Sequence, residues 1–118
     1  MTYNDFIKNK ENFTEEYSEK LRKQHSNRIP VLVWNVVSKD LDFTGSTRRF
    51  MVQQDTTLGQ LLYILRKRFT LRAEEGLFVF VGKNNIMVSN AEIISILFDK
   101  YAEDGFLRLT LSKENTFG

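Results

Sequence analysis

The sequence predicts one α+β domain, and three observations lead to this fold class. The chain of 118 residues has the length of a single domain, and 42% of its residues are hydrophobic, with ten Phe among them. Apolar residues recur at helical spacing in some segments and form short β-branched runs in others. The resulting order is two helices, a hairpin, a long helix, two short strands, a helix and a closing strand, which indicates helices packed on a mixed sheet.

Composition excludes several classes of protein. The chain has no cysteine, so disulfide scaffolds, cysteine-ligated metal sites and thiol catalysis are excluded, and its single histidine, His25, excludes a metal centre with two imidazoles. The 17 basic and 15 acidic side chains give a formal net charge of +2, too near balance for a dedicated nucleic-acid binder. No apolar run approaches the roughly 20 residues of a membrane span, and the charged N-terminus does not resemble a signal peptide. We therefore expect a soluble, cytosolic domain that is not an enzyme.

Residues 1–28 predict helices. Asn12 and Glu15 fit a capping pattern at the start of the stronger helix, and a weaker helical signal spans residues 5–10. One narrow apolar stripe at four-residue spacing consists of Phe13, Tyr17 and Leu21. A narrow stripe on a charged helix predicts a surface helix that lies on another layer.

Pro30 ends the helical part of the chain, because proline lacks an amide hydrogen and restricts the residue before it. Residues 31–37 then form a nearly continuous apolar run, which is typical of a strand covered on both faces. After a loop that contains Gly45, residues 49–53 predict the hairpin partner of this strand.

The central helix is predicted from Thr57 to Phe69. Thr57 and Gln60 match a capping box, in which each side chain accepts a hydrogen bond from the other residue's backbone amide. The predicted inner stripe consists of Leu58, Leu62, Leu65 and Phe69, with Leu61 and Ile64 on its flank.

The last third of the chain predicts two short strands, a helix and a final strand. In order, the segments are a strand at 77–81, a turn at 82–85, a brief strand at 86–88, a helix that Ser89 or Asn90 caps, and a strand at 106–111. A hairpin followed by a crossover helix and a strand is the arrangement of a ubiquitin-like β-grasp. We predict a β-grasp core at 29–111, two additional N-terminal helices within 1–28 on the opposite face of the sheet, and a flexible tail at 112–118.

Four motifs in this order resemble the autophagy-related ubiquitin-like modifiers, the autophagy-related protein 8 family. The matching segments are 20–23 leading into 27–31, then 58–60 with 65–68 and 71–74, then 104–107, and finally 116–118. The resemblance covers residues 17–118. Several positions depart from the family's pattern and indicate a divergent member with its own ligand preference: Tyr17, Ser26, Trp34, Gln53, Leu61, Leu109 and Leu111.

The resemblance implies a covalent modifier rather than a catalyst. Gly118 would be activated as an adenylate, passed between cysteines of separate activating and conjugating enzymes, and joined to phosphatidylethanolamine on autophagosomal membranes. A cysteine protease would release it again. The implied form is a monomer of the cytoplasm and the autophagosome membrane that needs no cofactor beyond the attached lipid and does not bind nucleic acid.

The resemblance also implies a groove for aromatic-x-x-aliphatic motifs of cargo receptors and autophagy factors. The aromatic pocket would consist of Tyr17, Leu21, Pro30, Leu32, Arg49, Met51 and Phe106, and the aliphatic pocket of Phe50, Val52, Leu61 and Ile64. A basic rim would consist of Arg28, Arg48, Lys67 and Arg68. Adjacent strand residues point to opposite faces, so Phe50 and Met51 make both faces apolar beside an edge that could accept a peptide strand. A charged residue at Leu61 or Ile64 is expected to weaken binding without unfolding the domain.

Other interpretations of these residues stay open at this stage. The pocket residues also suit a plain structural role between the layers of the core, and Trp34 suits either packing on the N-terminal helix or exposure as an added contact. An alternative function is that of a ubiquitin-like adaptor, which has the same fold but is not conjugated to a lipid. A microtubule or nucleic-acid binder would use the basic face instead of the groove.

Overall fold

The computed structural model describes residues 13–35, 47–68 and 76–112. This part of the chain contains three helices and four strands. In chain order they are α1 (Glu15–Gln24), β1 (Arg28–Asn35), β2 (Thr47–Gln53), α2 (Leu58–Arg68), β3 (Phe78–Val81), α3 (Ile94–Tyr101) and β4 (Leu107–Ser112). The helical signal predicted at 5–10 and the tail beyond residue 112 lie outside the described residues.

The strands form one mixed sheet in the order β2-β1-β4-β3. β1 and β2 pair as an antiparallel hairpin, with Val31 opposite Phe50. β4 lies parallel to β1, with Val33 opposite Leu109, and β3 closes the sheet antiparallel to β4. The predicted hairpin is therefore confirmed, and the last strand pairs beside the first.

Helices cover both faces of this sheet. Val31 and Val33 of β1 belong to a larger buried cluster with residues of α2 and α3, whereas Leu32 and Trp34 belong to a second cluster with Leu21 of α1. Because successive strand residues point to opposite faces, the two clusters lie on opposite sides of the sheet. Trp34 is 5% exposed, so it packs on the face that α1 covers rather than projecting into solvent.

β1 begins earlier than the sequence predicts, at Arg28 instead of Val31. Pro30 lies inside the strand and is opposite Met51 of β2. Pairing with β4 begins only at Val31. The missing amide hydrogen is tolerated because Pro30 precedes the part of β1 that is paired on both sides.

The helices begin in three different ways. Thr14 caps α1, since its hydroxyl accepts a hydrogen bond from the Tyr17 amide at 3.2 Å; Asn12, which the sequence predicts as the cap, lies outside the described residues. The predicted capping box of α2 is confirmed: the Thr57 amide donates to Gln60 Oε1 at 2.9 Å, and the Gln60 amide donates to Thr57 Oγ1 at 3.1 Å.

The helix α3 has no side-chain cap at its N-cap position, Ile93. Its first amides instead donate to backbone carbonyls of the segment between β2 and α2: Ile94 to Thr56 at 2.8 Å and Ser95 to Gln54 at 3.2 Å. The prediction that Ser89 or Asn90 caps this helix is therefore wrong. Tertiary contacts satisfy the donors that a local side chain usually satisfies.

Two further expectations differ from the structure. The brief strand predicted at 86–88 is only an isolated bridge between Val81 and Ile86, and Met87 is 52% exposed. Met87 is exposed rather than buried, so the segment gains little by extending the sheet. Ser112, predicted to begin the tail, is the fully buried last residue of β4 and lies opposite Phe78.

Candidate functional site

The structure brings most of the predicted aromatic-pocket residues together on the α1 face of the sheet. Leu21, Leu32 and Phe106 are members of one buried cluster, and Tyr17 and Met51 pack against it. They come from α1, from β1 and β2, and from the turn that leads into β4. Pro30 is buried in β1 two residues before Leu32, and therefore on the same face of the strand.

The aromatic rings of this pocket contact one another. The Phe106 ring lies 5.5 Å from the Phe13 ring in an edge-on arrangement and 6.0 Å from the Tyr17 ring. The Arg49 guanidinium lies over the Tyr17 ring, 5.8 Å from its centre. The arrangement is an apolar floor with an aromatic wall and a cation at its rim.

A close contact sets the position of α1 against this pocket. The Ser18 hydroxyl of α1 donates a hydrogen bond to the Gly105 carbonyl, immediately before Phe106. Gly105 has φ +80°, and a Cβ there would lie 2.5 Å from Ser18 Cβ. Only glycine allows this approach, so the contact determines how near α1 lies to the sheet.

Arg108 also contacts the turn that contains Gly105. Its side chain is 5% exposed, its Nη1 donates to the Glu103 carbonyl at 2.9 Å, and its Nη2 lies 3.7 Å from Asp104 Oδ2. A buried guanidinium needs such partners, because an unpaired buried charge is costly. Arg108 therefore holds the turn that carries Phe106.

Three of the four predicted aliphatic-pocket residues meet on the opposite face of the sheet, and the fourth, Ile64, lies outside their cluster. Val52 and Leu61 are buried in the larger cluster at 8% and 3% exposure, and Phe50 packs against it. Ile64 is 53% exposed. It borders an open depression of about 520 Å³ that Thr56, Thr57, Gly59, Gln60 and Tyr63 also line.

Leu61 is thus a core residue, and its burial argues against the expectation that a charge there leaves the domain folded. The predicted stripe of α2 placed Leu62 inside and Leu61 on the flank, whereas Leu61 is buried and Leu62 is only partly buried. Phe50 and Val52 of β2 pack in the same cluster as Leu61. The buried face of α2 is therefore turned toward Leu61 rather than Leu62.

Between the two pockets runs β2, an edge strand of the sheet. Phe50 packs on one cluster and Met51 on the other. Residues three apart in an extended peptide also point to opposite faces. A peptide strand added to β2 could therefore place an aromatic side chain and an aliphatic one, separated by two residues, on the two faces.

Two residues of the predicted basic rim contact β2. Arg28 Nη1 donates to the Met51 carbonyl at 3.4 Å, and the Arg68 guanidinium lies 5.3 Å from the Phe50 ring centre. The Lys67 ammonium lies 4.6 Å from the Tyr63 ring centre. The side chain of Arg48 lies outside what the structure describes.

The sequence of this chain matches one protein family and several of its known members. Residues 14–118 match the family described as "Autophagy protein Atg8 ubiquitin like". Autophagy-related protein 8e of Arabidopsis thaliana is 37% identical over 116 residues, which cover 98% of this chain and 88% of that protein. Autophagy-related protein 8 of Neurospora crassa is 37% identical over 102 residues, covering 86% and 82%. The chain belongs to the Atg8 family.

A solved structure agrees with this membership. The crystal structure of Trypanosoma brucei ATG8 aligns with a TM-score of 0.75 and 34% identity, covering 92% of this chain and 94% of that one. The resemblance inferred from the four motifs and the predicted ubiquitin-like α+β fold are both confirmed. The family match and the curated relatives support an autophagy-related, ubiquitin-like role.

The described parts of the chain contain neither a membrane-spanning helix nor a metal site. No helix there is long and apolar enough to cross a membrane. No group of three or more His, Cys, Asp or Glu side chains is placed to hold a metal ion in the same residues.

Four residues that shape the aromatic pocket were not predicted from the sequence. Ser18 and Gly105 are 87 positions apart, and no local pattern connects them. Arg108 alternates with Leu107 and Leu109 in β4, which suggests an exposed face, yet it is 4% exposed. Phe13 precedes the N-cap Thr14 and is therefore not part of the helix that the sequence predicts for it, yet its ring contacts Phe106.

Proposed function

We propose that this Atg8 protein is a non-enzymatic ubiquitin-like modifier, conjugated through Gly118 to phosphatidylethanolamine on autophagosomal membranes. In this role it recruits cargo receptors and autophagy factors that carry aromatic-x-x-aliphatic motifs. The observation that carries the binding role is the pair of apolar clusters on opposite faces beside the edge strand β2. The conjugation role is supported by the family match, which extends to residue 118.

The chemistry of conjugation suits a glycine. Activation by ATP converts its carboxylate to an adenylate and releases pyrophosphate, and a cysteine thiol then displaces AMP to form a thioester. After transfer to the cysteine of the conjugating enzyme, attack by the lipid amine forms an amide and releases the thiol. A residue without a side chain leaves the carbonyl unhindered at each transfer. The partners are activating and conjugating enzymes and a deconjugating cysteine protease, and the protein alternates between the cytoplasm and the autophagosome membrane.

The groove is tested by a charged substitution at its exposed apolar position. Ile64→Asp should weaken binding of a synthetic aromatic-x-x-aliphatic peptide about tenfold or more, because an aliphatic side chain loses the burial that its pocket provides. The matched control is Ile96→Asp, since Ile96 is also an exposed isoleucine, at 42%, but lies on α3. Isothermal titration and NMR titration measure both variants against the wild type, whose Kd should be about micromolar.

Two results would contradict the groove. Peptide-induced NMR shifts confined to another surface, or equal losses in Ile64→Asp and Ile96→Asp, would assign the apolar clusters a purely structural role. An electrostatic binder that uses the basic face predicts a different pattern: affinity for RNA or microtubules that falls steeply with salt and is unchanged in Ile64→Asp.

Conjugation is tested with activating and conjugating enzymes, ATP and vesicles that contain phosphatidylethanolamine. The wild type should give a membrane-bound product of altered mobility, Gly118→Ala should give less, and deletion of Gly118 should give none. Peptide binding by all three proteins should be the same, which controls for folding. If the wild type forms no product that depends on Gly118, the unconjugated adaptor is the correct assignment.

A further inference from the structure

Tyr17 and Arg49 connect two elements across the aromatic pocket. Tyr17 lies on α1 and Arg49 on the edge strand β2, and the Arg49 guanidinium is 5.8 Å from the centre of the Tyr17 ring. A guanidinium within about 6 Å of a ring centre is attracted by the negative face of the ring. The contact therefore bridges the helix and the strand at the rim of the pocket.

The apolar residues of this pocket are closed to solvent in the free chain. Leu21 is 6% exposed, Leu32 is 1% exposed and Phe106 is fully buried. The Tyr17 ring packs on Phe106 at 6.0 Å, and it is half-buried while Arg49 is exposed. A ligand ring can reach the floor only if a side chain moves, and the rim pair has solvent to move into.

We propose that Tyr17 and Arg49 form a clasp that closes the aromatic pocket, and that the aromatic side chain of a bound motif has to open it. The proposal rests on the peptide-binding function proposed above and names the residues that regulate it. The clasp lowers apparent affinity, because only the open fraction of the protein binds. It also selects against ligands whose aromatic contact is too weak to displace Tyr17.

The size of the effect follows from the strength of the contact. At an exposed site a cation–π pair favours the closed form by about two- to five-fold. Tyr17→Leu keeps an apolar side chain against Phe106 but removes the ring under Arg49. This variant should therefore bind an aromatic-x-x-aliphatic peptide about two- to five-fold more tightly than the wild type.

A double-mutant cycle tests the clasp with the full-length protein. Tyr17→Leu, Arg49→Gln and the double variant are titrated with a synthetic peptide that carries Trp and Leu three positions apart. Each single variant should bind more tightly, and the double variant should gain nothing further, because either change opens the same clasp. With Ala in place of the peptide's Trp, the gain should vanish.

Two controls separate the clasp from other effects. Arg22→Gln removes a similar cation–π contact, in which the Arg22 guanidinium lies 5.4 Å from the Phe98 ring centre outside the pocket, and it should leave affinity unchanged. The NMR resonance of the Arg49 side-chain Nε–H reports the contact without any ligand. Its ring-current shift should disappear in Tyr17→Leu and on saturation with the Trp peptide.

The outcomes distinguish this proposal from the function on which it rests. If the wild type binds the Trp peptide but Tyr17→Leu binds equally or more weakly, Tyr17 is a wall of the pocket and the clasp is overturned. Additive gains in the double variant would overturn it as well. If no variant binds the peptide while the Arg49 resonance shows the ring contact, the peptide-binding function fails, and the clasp has no ligand to regulate.

Discussion

Gly105 illustrates how one residue positions a whole pocket. It has φ +80° and follows Asp104, whose φ is +53°. Its carbonyl accepts a hydrogen bond from Ser18, which is fully buried. The left-handed backbone favours a glycine here, and the close approach of α1 requires a residue without a side chain. The distance between α1 and Phe106 therefore depends on this position.

Gly105→Ala should destabilise the protein more than Gly82→Ala. Gly82 has φ +76°, but a Cβ there would meet its nearest neighbour, Tyr101 Cβ, at an ordinary 3.4 Å, whereas at Gly105 it would lie 2.5 Å from Ser18 Cβ. Gly82→Ala, the control, should lower the free energy of unfolding by about 1–2 kcal/mol through backbone strain alone. Gly105→Ala should lose at least about 1 kcal/mol more, because α1 has to move.

Urea unfolding at a constant m-value measures both free energies. Equal losses in the two variants would mean that the Ser18 contact adds nothing. A larger loss at Gly105, together with weaker peptide binding, supports its role in positioning α1.

At the scale of elements, a helix start that depends on neighbouring residues can be predicted from the sequence, whereas one that depends on distant residues cannot. The reciprocal hydrogen bonds between Thr57 and Gln60 join residues three positions apart, and they were predicted from the sequence. The start of α3 depends on carbonyls of Gln54 and Thr56, far earlier in the chain. Such a start has no signature in the residues that surround Ile94.

Thr57→Ala should destabilise the protein by about 1 kcal/mol, because α2 loses a side-chain acceptor at its first turn. The comparison is Ser89→Ala, because the Ser89 hydroxyl also accepts a backbone hydrogen bond, from Ala91 at 3.1 Å, but does not cap a helix. Its loss should be only a few tenths of a kcal/mol. Unfolding midpoints by circular dichroism measure the difference, and a Ser89→Ala loss as large as that of Thr57→Ala would argue against the capping role.

At the scale of the whole molecule, the groove is a product of sheet order. The order β2-β1-β4-β3 places β2 at an edge and β1 beside β4 in the middle. Tyr17, Arg49 and Phe106 come from three separate segments and meet only because α1 packs across these strands. The same sheet separates the two apolar clusters, so the two candidate pockets lie on opposite faces.

The sequence by itself determined the α+β class, the hairpin, the capping box of α2 and membership of the Atg8 family. Each of these conclusions depends on residues within a few positions of one another, or on motifs that occur in a fixed order along the chain. Only the tertiary structure decided that Leu61 is buried and Ile64 exposed, that Ser18 meets Gly105, and that Tyr17 meets Arg49. Helical periodicity defines an apolar stripe but not the angle at which that stripe meets the sheet. That angle, and every contact between distant segments, depends on how the layers pack.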